Sequence, residues 1–189
     1  MYQLTKKYPS KRAFITGSAS GLGKTLALQL AKDGWKIGIT DINATALQSA
    51  ATEIENAGGK VFQYVFDVSK KEAYKNAAED FLMKNGGIDL LINNAGVGDG
   101  GLFEEYSLEN WEWITGINQM SVIYGSYFFV PAMKKQKAGH IVNVASMAGI
   151  ACMPNMSMYN VTKAAVIAHA ESLYAELAPF GVGISLVLP

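Results

Sequence analysis

Hydrophobic and polar positions follow two periods that alternate along the chain. Short runs rich in β-branched residues, typical of buried strands, are separated by longer segments whose apolar residues recur every three or four positions, which indicates helices. The predicted strands are residues 12–16, 36–40, 60–66, 89–92, 140–145 and 183–188. The predicted helices are residues 21–33, 44–57, 70–85, 108–137 with a break near Asn118, and 156–178. This alternation predicts an α/β fold in three layers, a doubly wound parallel sheet with helices on both faces.

Local signals support several of these boundaries. Gly34 and Gly58 follow predicted helices at positions where a left-handed residue ends the helix, and glycine lacks the Cβ that penalises that conformation. Ser69 and Glu72 have the spacing of a capping box, in which two side chains satisfy free backbone amides. We therefore expect that box to begin the third predicted helix.

Composition and charge exclude several classes of protein. With 189 residues, half of them hydrophobic, the chain is expected to form one domain. Sixteen basic residues balance sixteen acidic ones, so a nucleic-acid partner is not expected. The most apolar stretch, residues 122–133, is too short to cross a membrane. A single cysteine, Cys152, and a start without the apolar core of a signal peptide predict a reducing, cytoplasmic location.

A glycine-rich turn, residues 16–23, follows the first predicted strand and precedes a predicted helix. A pyrophosphate binds to free backbone amides at a helix N-terminus, and glycines let the backbone approach it closely. The glycine spacing differs from GxGxxG and the turn lacks a P-loop lysine, so an ordinary tight connection is the alternative. Because the turn closes the first strand of a βαβ unit, we favour a phosphate cradle. Its predicted members are Gly17, Ser18, Ser20, Gly21, Leu22 and Gly23.

Asp41 ends the second predicted strand, where an acidic residue is expected to meet the adenosine ribose of a dinucleotide. A carboxylate there accepts hydrogen bonds from the ribose hydroxyls and repels a 2′-phosphate. Neighbouring positions such as Ile42, which we also place at the cofactor, offer no arginine or lysine to hold that phosphate. These features favour NAD over NADP, and the alternative is an exposed turn aspartate or a helix cap before Asn43.

These residues, with motifs further along the chain, resemble the short-chain dehydrogenase/reductase family in its compact single-domain branch, over essentially the whole chain. The motifs are the TGxxxGxG turn, the adenine-contacting pair Asp67 and Val68, the NNAG sequence Asn93, Asn94, Ala95 and Gly96, the catalytic Ser146, and the YxxxK residues Tyr159 and Lys163. Asn118 falls in the helix where the family carries a catalytic asparagine. The resemblance implies a Rossmann-like domain that transfers a hydride between NAD and an alcohol or carbonyl substrate.

Tyr159 and Lys163 are four residues apart on a predicted helix and therefore share one face. An ammonium about 4 Å from a phenol, at an effective dielectric near 20, stabilises the phenolate by about 4 kcal/mol, so the pair can act as a general base. Ser146 lies at the carboxyl end of a strand and can stabilise charge on the substrate oxygen. By resemblance, Lys163 also holds the nicotinamide ribose, and Asn118 holds a water that connects Lys163 to solvent. We expect Asn93 to bond backbone across the central strands.

The sequence departs from the family pattern at Pro189, which we place at the nicotinamide. Family members usually continue with a substrate loop and a last strand, so residues 1–189 are expected to form one NAD-binding domain without them. Two interpretations stay open. Either the polypeptide ends at Pro189 and its substrate site lacks a wall, or the polypeptide continues beyond this residue. A polypeptide that ends there favours an NAD(H)-binding scaffold or sensor without turnover. A further alternative is the same enzyme type using NADP(H).

Other side chains suggest surfaces around the predicted site. Met147, Cys152, Met153, Met156 and Met158 could line an apolar substrate pocket, or fill the core or a subunit contact. His169 is interpreted as a packing or interface residue, and no metal is expected because no residues have metal-ligand spacing. The two long helices are apolar on more than one face, which predicts self-association. The family resemblance implies that these two helices pair across a twofold axis in a homodimer or homotetramer.

Overall fold

The computed structural model describes residues 2–189, which form one parallel sheet with helices on both faces. The strands are β1 (Arg12–Thr16), β2 (Lys36–Asp41), β3 (Lys60–Val65), β4 (Leu90–Asn93), β5 (Gly139–Val144) and β6 (Val182–Val187). The helices are α1 (Tyr2–Lys7), α2 (Gly21–Ala31), α3 (Ala44–Asn56), α4 (Lys71–Asn85), α5 (Leu108–Thr115), α6 (Ser121–Gln136) and α7 (Ser157–Leu177). The predicted fold class is confirmed, and each predicted strand agrees with the structure to within one residue at either end.

The strand order is β3-β2-β1-β4-β5-β6, so the chain changes direction across the sheet between β1 and β4. Open α/β sheets bind their ligands beyond the carboxyl ends of the strands at such a switch point. Thr16 at the end of β1 pairs with Thr40 of β2, and Asn93 of β4 pairs with Asn143 of β5. The segments that follow these strands therefore meet at one edge of the sheet.

Two hydrophobic cores lie on opposite faces of the sheet. One packs α2 and α3 against β1 and β2 and contains Trp35 and Ile54. The other packs α4 and α6 against the sheet, where the Phe14 ring lies 4.9 Å from the Phe129 ring and 5.4 Å from the Phe81 ring, measured between centroids. All four residues of β4 are buried, as expected for a central strand covered on both faces.

The helix signals are confirmed in part. Gly34 and Gly58 have φ values of +72° and +98°, in the left-handed region predicted for them. The predicted break near Asn118 is a π-helical turn, Gly116–Met120, which joins α5 to α6 without interrupting the helical path. Helix α1 and the short 3₁₀ turns lie outside the sequence prediction.

The predicted capping box at Ser69 and Glu72 is wrong. Helix α4 begins at Lys71, its N-cap is Lys70, and no side chain of the described residues caps it. The amide of Ser69 instead donates to the carboxylate of Asp67 (2.9 Å), and the amide of Lys70 donates to the carbonyl of Asp67 (3.0 Å). This turn delays the helix by one residue, so Ser69 lies too early in the chain to cap it.

The expected backbone contact of Asn93 is also corrected. The Asn93 side chain is buried and donates to the side-chain oxygen of Asn143 (2.9 Å), while its own oxygen accepts from the Tyr74 hydroxyl (3.4 Å). The two asparagines are directly opposite in the parallel pairing of β4 and β5, so their side chains point to the same face and can bond to each other.

Candidate active site

The glycine-rich turn folds tightly because its glycines occupy positions that other residues would strain. Gly17 and Gly21 have φ values of +64° and +53°, in the left-handed region. A Cβ on Gly23 would collide with the carbonyl oxygen of Gly17 and come within 2.7 Å of the Asn94 amide nitrogen. Gly23 therefore lets α2 start directly against the turn.

The N-terminus of α2 leaves backbone amides available. Ser20 is the N-cap, but among the described residues no side chain caps this helix, and the amide of Lys24 donates to the Ser20 carbonyl (3.1 Å). A Cβ on Gly21 would meet nothing within 4 Å, so the space in front of the helix is open. Free amides facing open space fit a pyrophosphate group. Leu22 is exposed beside them.

Ser18 holds the turn together. Its side chain is buried, and its hydroxyl accepts from the Thr40 amide (2.8 Å) and lies within hydrogen-bond distance of the carbonyls of Ile15 and Thr40. The Ser18 amide also donates to the Thr40 carbonyl (3.0 Å). These bonds tie the turn after β1 to the end of β2, which positions the amides of α2.

A second connection joins the turn to the segment after β4. The Thr16 hydroxyl accepts from the amides of Asn94 and Ala95 (3.0 Å each), and the Asn94 side chain donates to the carbonyls of Thr16 (2.9 Å) and Gly17 (3.0 Å). The sequence assigned the backbone-bridging role to Asn93, and the structure gives it to Asn94.

A cleft of about 160 Å³ opens at this junction, between the ends of β1, β2, β3 and β4. Most of its lining residues are ones that the sequence predicts to contact the cofactor. The lining residues are Gly17, Asp41, Ile42, Phe66, Asp67, Val68, Ala95, Gly96, Val97 and Ile117. Phe66, Val97 and Ile117 were missed. Phe66 and Val97 each adjoin a predicted motif along the chain, whereas Ile117 enters the cleft only through the π-helical turn.

Asp41 faces this cleft half-buried. One carboxylate oxygen accepts from the amide of Ala19 (3.2 Å) and the other from the amide of Asn43 (3.0 Å). Asn43, not Asp41, caps α3, because its side-chain oxygen accepts from the Ala46 amide (3.0 Å). Carboxylate oxygens have further acceptor capacity, so Asp41 can also bind hydroxyl groups.

Tyr159 and Lys163 lie side by side near the start of α7, as their spacing predicts. The Lys163 ammonium is 5.6 Å from the centre of the Tyr159 ring and donates to the carbonyl of Val144 (3.0 Å) at the end of β5. Lys163 is only 3% exposed, and this burial lowers its pKa to about 8. A buried ammonium beside a phenol is an arrangement suited to proton transfer.

Asn118 lies in the π-helical turn and is fully buried. Its side-chain oxygen accepts from the Val97 amide (2.8 Å), and its nitrogen donates to the Val97 carbonyl (2.9 Å) and the Thr162 hydroxyl (3.2 Å). A Cβ on Gly96 would lie 3.3 Å from both the Asn118 oxygen and the Lys163 nitrogen. The turn therefore brings Asn118 close to Lys163 and binds the segment after β4. Single π turns of this kind are frequent at functional sites.

Ser146 and Pro189 are brought together at the ends of β5 and β6. The Ser146 hydroxyl accepts from the Ala148 amide (3.2 Å), which caps a short 3₁₀ turn, and donates to the Pro189 carbonyl (3.4 Å). The Met147 amide also donates to the Pro189 carbonyl (3.2 Å). Ser146 therefore caps the 3₁₀ turn and also hydrogen-bonds the segment that follows β6.

The five candidate apolar side chains near the site differ in burial. Met158 is fully buried and belongs to the core, Met156 is half-buried, and Met147, Met153 and Cys152 are exposed on the loop between β5 and α7. They do not form one enclosed pocket. His169 packs against α6, where its Nε2 lies 3.1 Å from the Ser126 hydroxyl.

In the part of the chain that the structure describes, no cluster of histidine, cysteine and carboxylate side chains could hold a metal ion. Nor does any helix within residues 2–189 have the length and apolar character needed to span a membrane.

Sequence comparison finds a family model and curated relatives that match most of the chain. The sequence model described as short chain dehydrogenase matches residues 11–189. Two curated relatives are the probable oxidoreductase EphD of Mycobacterium tuberculosis (36% identical, 93% of this chain and 30% of EphD) and the cyclohexanol dehydrogenase of an Acinetobacter strain (35%, 98% of this chain and 74% of that protein). The chain thus spans less than a third of EphD.

Two solved structures are similar over 95% of this chain. A Burkholderia phymatum short-chain dehydrogenase/reductase in complex with NAD superposes with a TM-score of 0.91 at 40% identity, with 65% of that chain covered. A metagenomic short-chain oxidoreductase in complex with NADP superposes with a TM-score of 0.92 at 30% identity, with 82% of that chain covered.

Proposed function

The chain belongs to the short-chain dehydrogenase/reductase family, and on that premise we propose that it transfers a hydride between NAD(H) and a small alcohol or carbonyl substrate. Tyr159 is the general acid and base. The observation that carries this proposal is the buried Lys163, whose ammonium lies beside the Tyr159 ring and is anchored to β5. The similarity to a cyclohexanol dehydrogenase supports an alcohol or ketone as substrate.

The cofactor site of this proposal is the glycine-rich turn and the adjoining cleft. The free amides at the start of α2, in the turn of Gly17, Ser18, Ser20, Gly21, Leu22 and Gly23, suit the pyrophosphate, and Asp41 with Ile42 suits the adenosine ribose. The remaining cofactor contacts are assigned to Asp67, Val68, Asn94, Ala95, Gly96, Tyr159, Lys163 and Pro189. When bound, NAD supplies or accepts the hydride.

The chain's own residues handle the proton. In reduction the carbonyl carbon gains the hydride and its oxygen takes the proton from Tyr159, and oxidation is the reverse. The Ser146 hydroxyl hydrogen-bonds the substrate oxygen and stabilises the charge that develops there. With a pKa of about 8, Lys163 is mostly protonated at neutral pH and stabilises the phenolate. Asn118 orders a water that connects Lys163 to solvent.

Turnover of a panel of secondary alcohols and ketones tests the enzyme function. We expect Tyr159→Phe to lower turnover by roughly a hundredfold to ten-thousandfold, because the general acid and base is removed, while NAD(H) binding measured by calorimetry is retained. Equal cofactor binding without any Tyr159-dependent turnover would show instead a scaffold or sensor that binds NAD(H).

Paired titrations with NAD and NADP test the cofactor choice. Asp41 repels a 2′-phosphate, and its neighbours Ser20, Thr40, Ile42 and Asn43 include no arginine or lysine. We expect the unmodified protein to bind NAD more tightly than NADP. Asp41→Ala is expected to weaken NAD binding by about tenfold or more and to leave NADP binding unchanged. Tighter binding of NADP to the unmodified protein would contradict this role of Asp41.

Two further parts of the proposal concern the setting of the enzyme. We assign it to the cytoplasm, supported by its single cysteine. We also assign it a homodimeric or homotetrameric state, supported by the exposed Tyr127 and Tyr174 on α6 and α7, the helices that family members commonly pair.

A further inference from the structure

Two loops leave the carboxyl edge of the sheet beside Ser146, and both expose apolar side chains. Residues 94–107 follow β4 and residues 145–156 follow β5, and the Gly101 amide of the first donates to the Asn155 carbonyl of the second (2.8 Å). Five apolar side chains on these loops are between 49% and 68% exposed, and together we name them the apolar rim: Leu102, Phe103, Met147, Ile150 and Met153. Exposed apolar side chains grouped in this way mark a binding surface.

The second loop is fixed directly against the catalytic residues. Gly149 packs so tightly on α7 that a Cβ there would lie 2.7 Å from the Lys163 carbonyl carbon and 2.9 Å from the Ala164 nitrogen. Met147 directly follows Ser146 in the sequence. The side chain of Asn160, the residue after Tyr159, donates a hydrogen bond to the Met153 carbonyl (2.8 Å). The second loop's part of the apolar rim therefore adjoins the proposed active site, and the Gly101–Asn155 bond joins the first loop to it.

The charges on these loops are all negative. Asp99, Glu104 and Glu105 lie on the first loop, and the second carries no charged residue. The sequence contains no lysine or arginine between Lys84 and Lys134, nor between Lys137 and Lys163. Asp99 and Glu105 both act on the Tyr106 hydroxyl, whose pKa is raised by desolvation and then by these two carboxylates. Neither loop carries a lysine, arginine or histidine that could form an ion pair with an anionic group of a substrate.

We propose that the apolar rim binds the hydrocarbon part of a neutral or cationic ketone or alcohol. The first-loop carboxylates Asp99, Glu104 and Glu105 exclude substrates with a carboxylate or phosphate distant from the reacting carbon. This inference rests on the proposed function and specifies its substrate class. The reaction itself is unchanged. Apolar contact favours the hydrocarbon chain, and the negative field lowers the local concentration of anions.

Three ketones of one skeleton test this proposal: methyl hexyl ketone, the same molecule ending in a carboxylate, and the same molecule ending in an ammonium. With the full chain and NADH, we expect kcat/KM for the carboxylate to be roughly tenfold below the other two, because the three carboxylates of the first loop repel it. The difference is expected to shrink in about 1 M salt, which screens charges beyond roughly 3 Å. Equal rates, or a preference for the carboxylate, would overturn the proposal.

Two variants test whether the first loop sets the preference for substrate charge and chain length. Glu104→Lys is expected to raise kcat/KM for the carboxylate-ended ketone several-fold, whereas Glu55→Lys, a matched reversal at an exposed position on α3, is not. Phe103→Ser is expected to lower kcat/KM for methyl hexyl ketone more than for acetone, because only the longer chain reaches the rim. Met83→Ser, at an exposed position of α4, is the matched control for this loss.

The outcomes separate this proposal from the function on which it rests. If no ketone gives Tyr159-dependent turnover, the enzyme function and the substrate class are both rejected. If turnover depends on Tyr159 but not on substrate charge or on Phe103, only the substrate class is rejected. If Phe103→Ser changes the sedimentation of the protein and not its ketone preference, a second copy of the chain covers the rim, and the proposal is again wrong.

Discussion

Lys163 carries a charge in a place where burial disfavours it. Its ammonium is almost inaccessible to water and keeps one described protein acceptor, the Val144 carbonyl. Removal from water lowers its pKa from the usual 10.5 to about 8. The protein thus keeps at its proposed catalytic centre a residue that costs stability, a pattern common at functional sites.

The pH dependence of stability tests this cost. Between pH 8 and pH 10.5 the folded Lys163 has lost its proton while the unfolded chain still binds it, so stability rises with pH through that window. At pH 7, Lys163→Met removes this cost, which raises the free energy of unfolding by up to about 3 kcal/mol. The loss of the hydrogen bond to Val144 lowers it by about 1 kcal/mol, so the variant is expected to be the more stable protein.

Urea unfolding at pH 7 and near pH 10 measures this difference. The advantage of Lys163→Met should decline as the pH rises, and comparison with the unmodified protein at each pH cancels the titration of all other groups. An advantage that is constant across this range, or that grows with pH, would show that burial does not set the titration of Lys163.

At the scale of elements, β4 and β5 are joined by a polar side-chain contact as well as by their backbone ladder. The Asn93–Asn143 bond lies in the core, with Tyr74 as a further partner of Asn93. Gly125 on α6 makes room for it, because a Cβ there would collide with the Asn93 oxygen and approach the Tyr74 hydroxyl to 2.7 Å. Since Asn94 follows β4 and Ser146 lies two residues after β5, this contact holds the proposed cofactor-binding and catalytic segments in register.

Removal of one partner should therefore be costly. Asn143→Ala leaves the Asn93 amide buried without its acceptor, and we expect a loss of about 2 to 4 kcal/mol in the free energy of unfolding. In a double-mutant cycle with Asn93→Ala, the double variant is expected to lose about 1 kcal/mol less than the sum of the single losses. Strict additivity in urea unfolding would show that the two side chains do not stabilise each other.

At the scale of the whole molecule, the outer face of α6 and α7 contains a groove of about 450 Å³. It is lined mainly by apolar side chains, including Ile123, Tyr127, Val130 and Leu173, with His169 at its edge. Tyr127 is 73% exposed and adjoins the other apolar side chains of this groove, and such grouped apolar surface marks an interaction site. This face is where we expect a second copy of the chain to pack.

Sedimentation at several protein concentrations tests this expectation. Tyr127→Lys buries a charge in the proposed interface and is expected to raise the dissociation constant by roughly tenfold or more. Met83→Lys, on the exposed side of α4, should leave association unchanged. Sedimentation of the unmodified protein as a monomer at all concentrations would contradict the expected oligomer.

The sequence by itself determined the order and type of the principal elements, because strand and helix periods are local properties of the chain. It also predicted the proximity of Tyr159 and Lys163, because one helical turn brings residues four apart to the same face. The helix boundary near Ser69 was wrong because a competing turn at Asp67 has no periodic signal.

Only the tertiary structure decided which distant residues meet. Sequence reasoning gave Asn93 a backbone contact, but the pairing of β4 with β5 sets it against Asn143, and the bridging role belongs to Asn94. The π-helical turn brings Asn118 to Gly96 and Lys163 and places Ile117 in the cleft. Contacts between residues far apart in the chain depend on strand order and on the space between side chains. Neither is encoded in the spacing of residues along one segment.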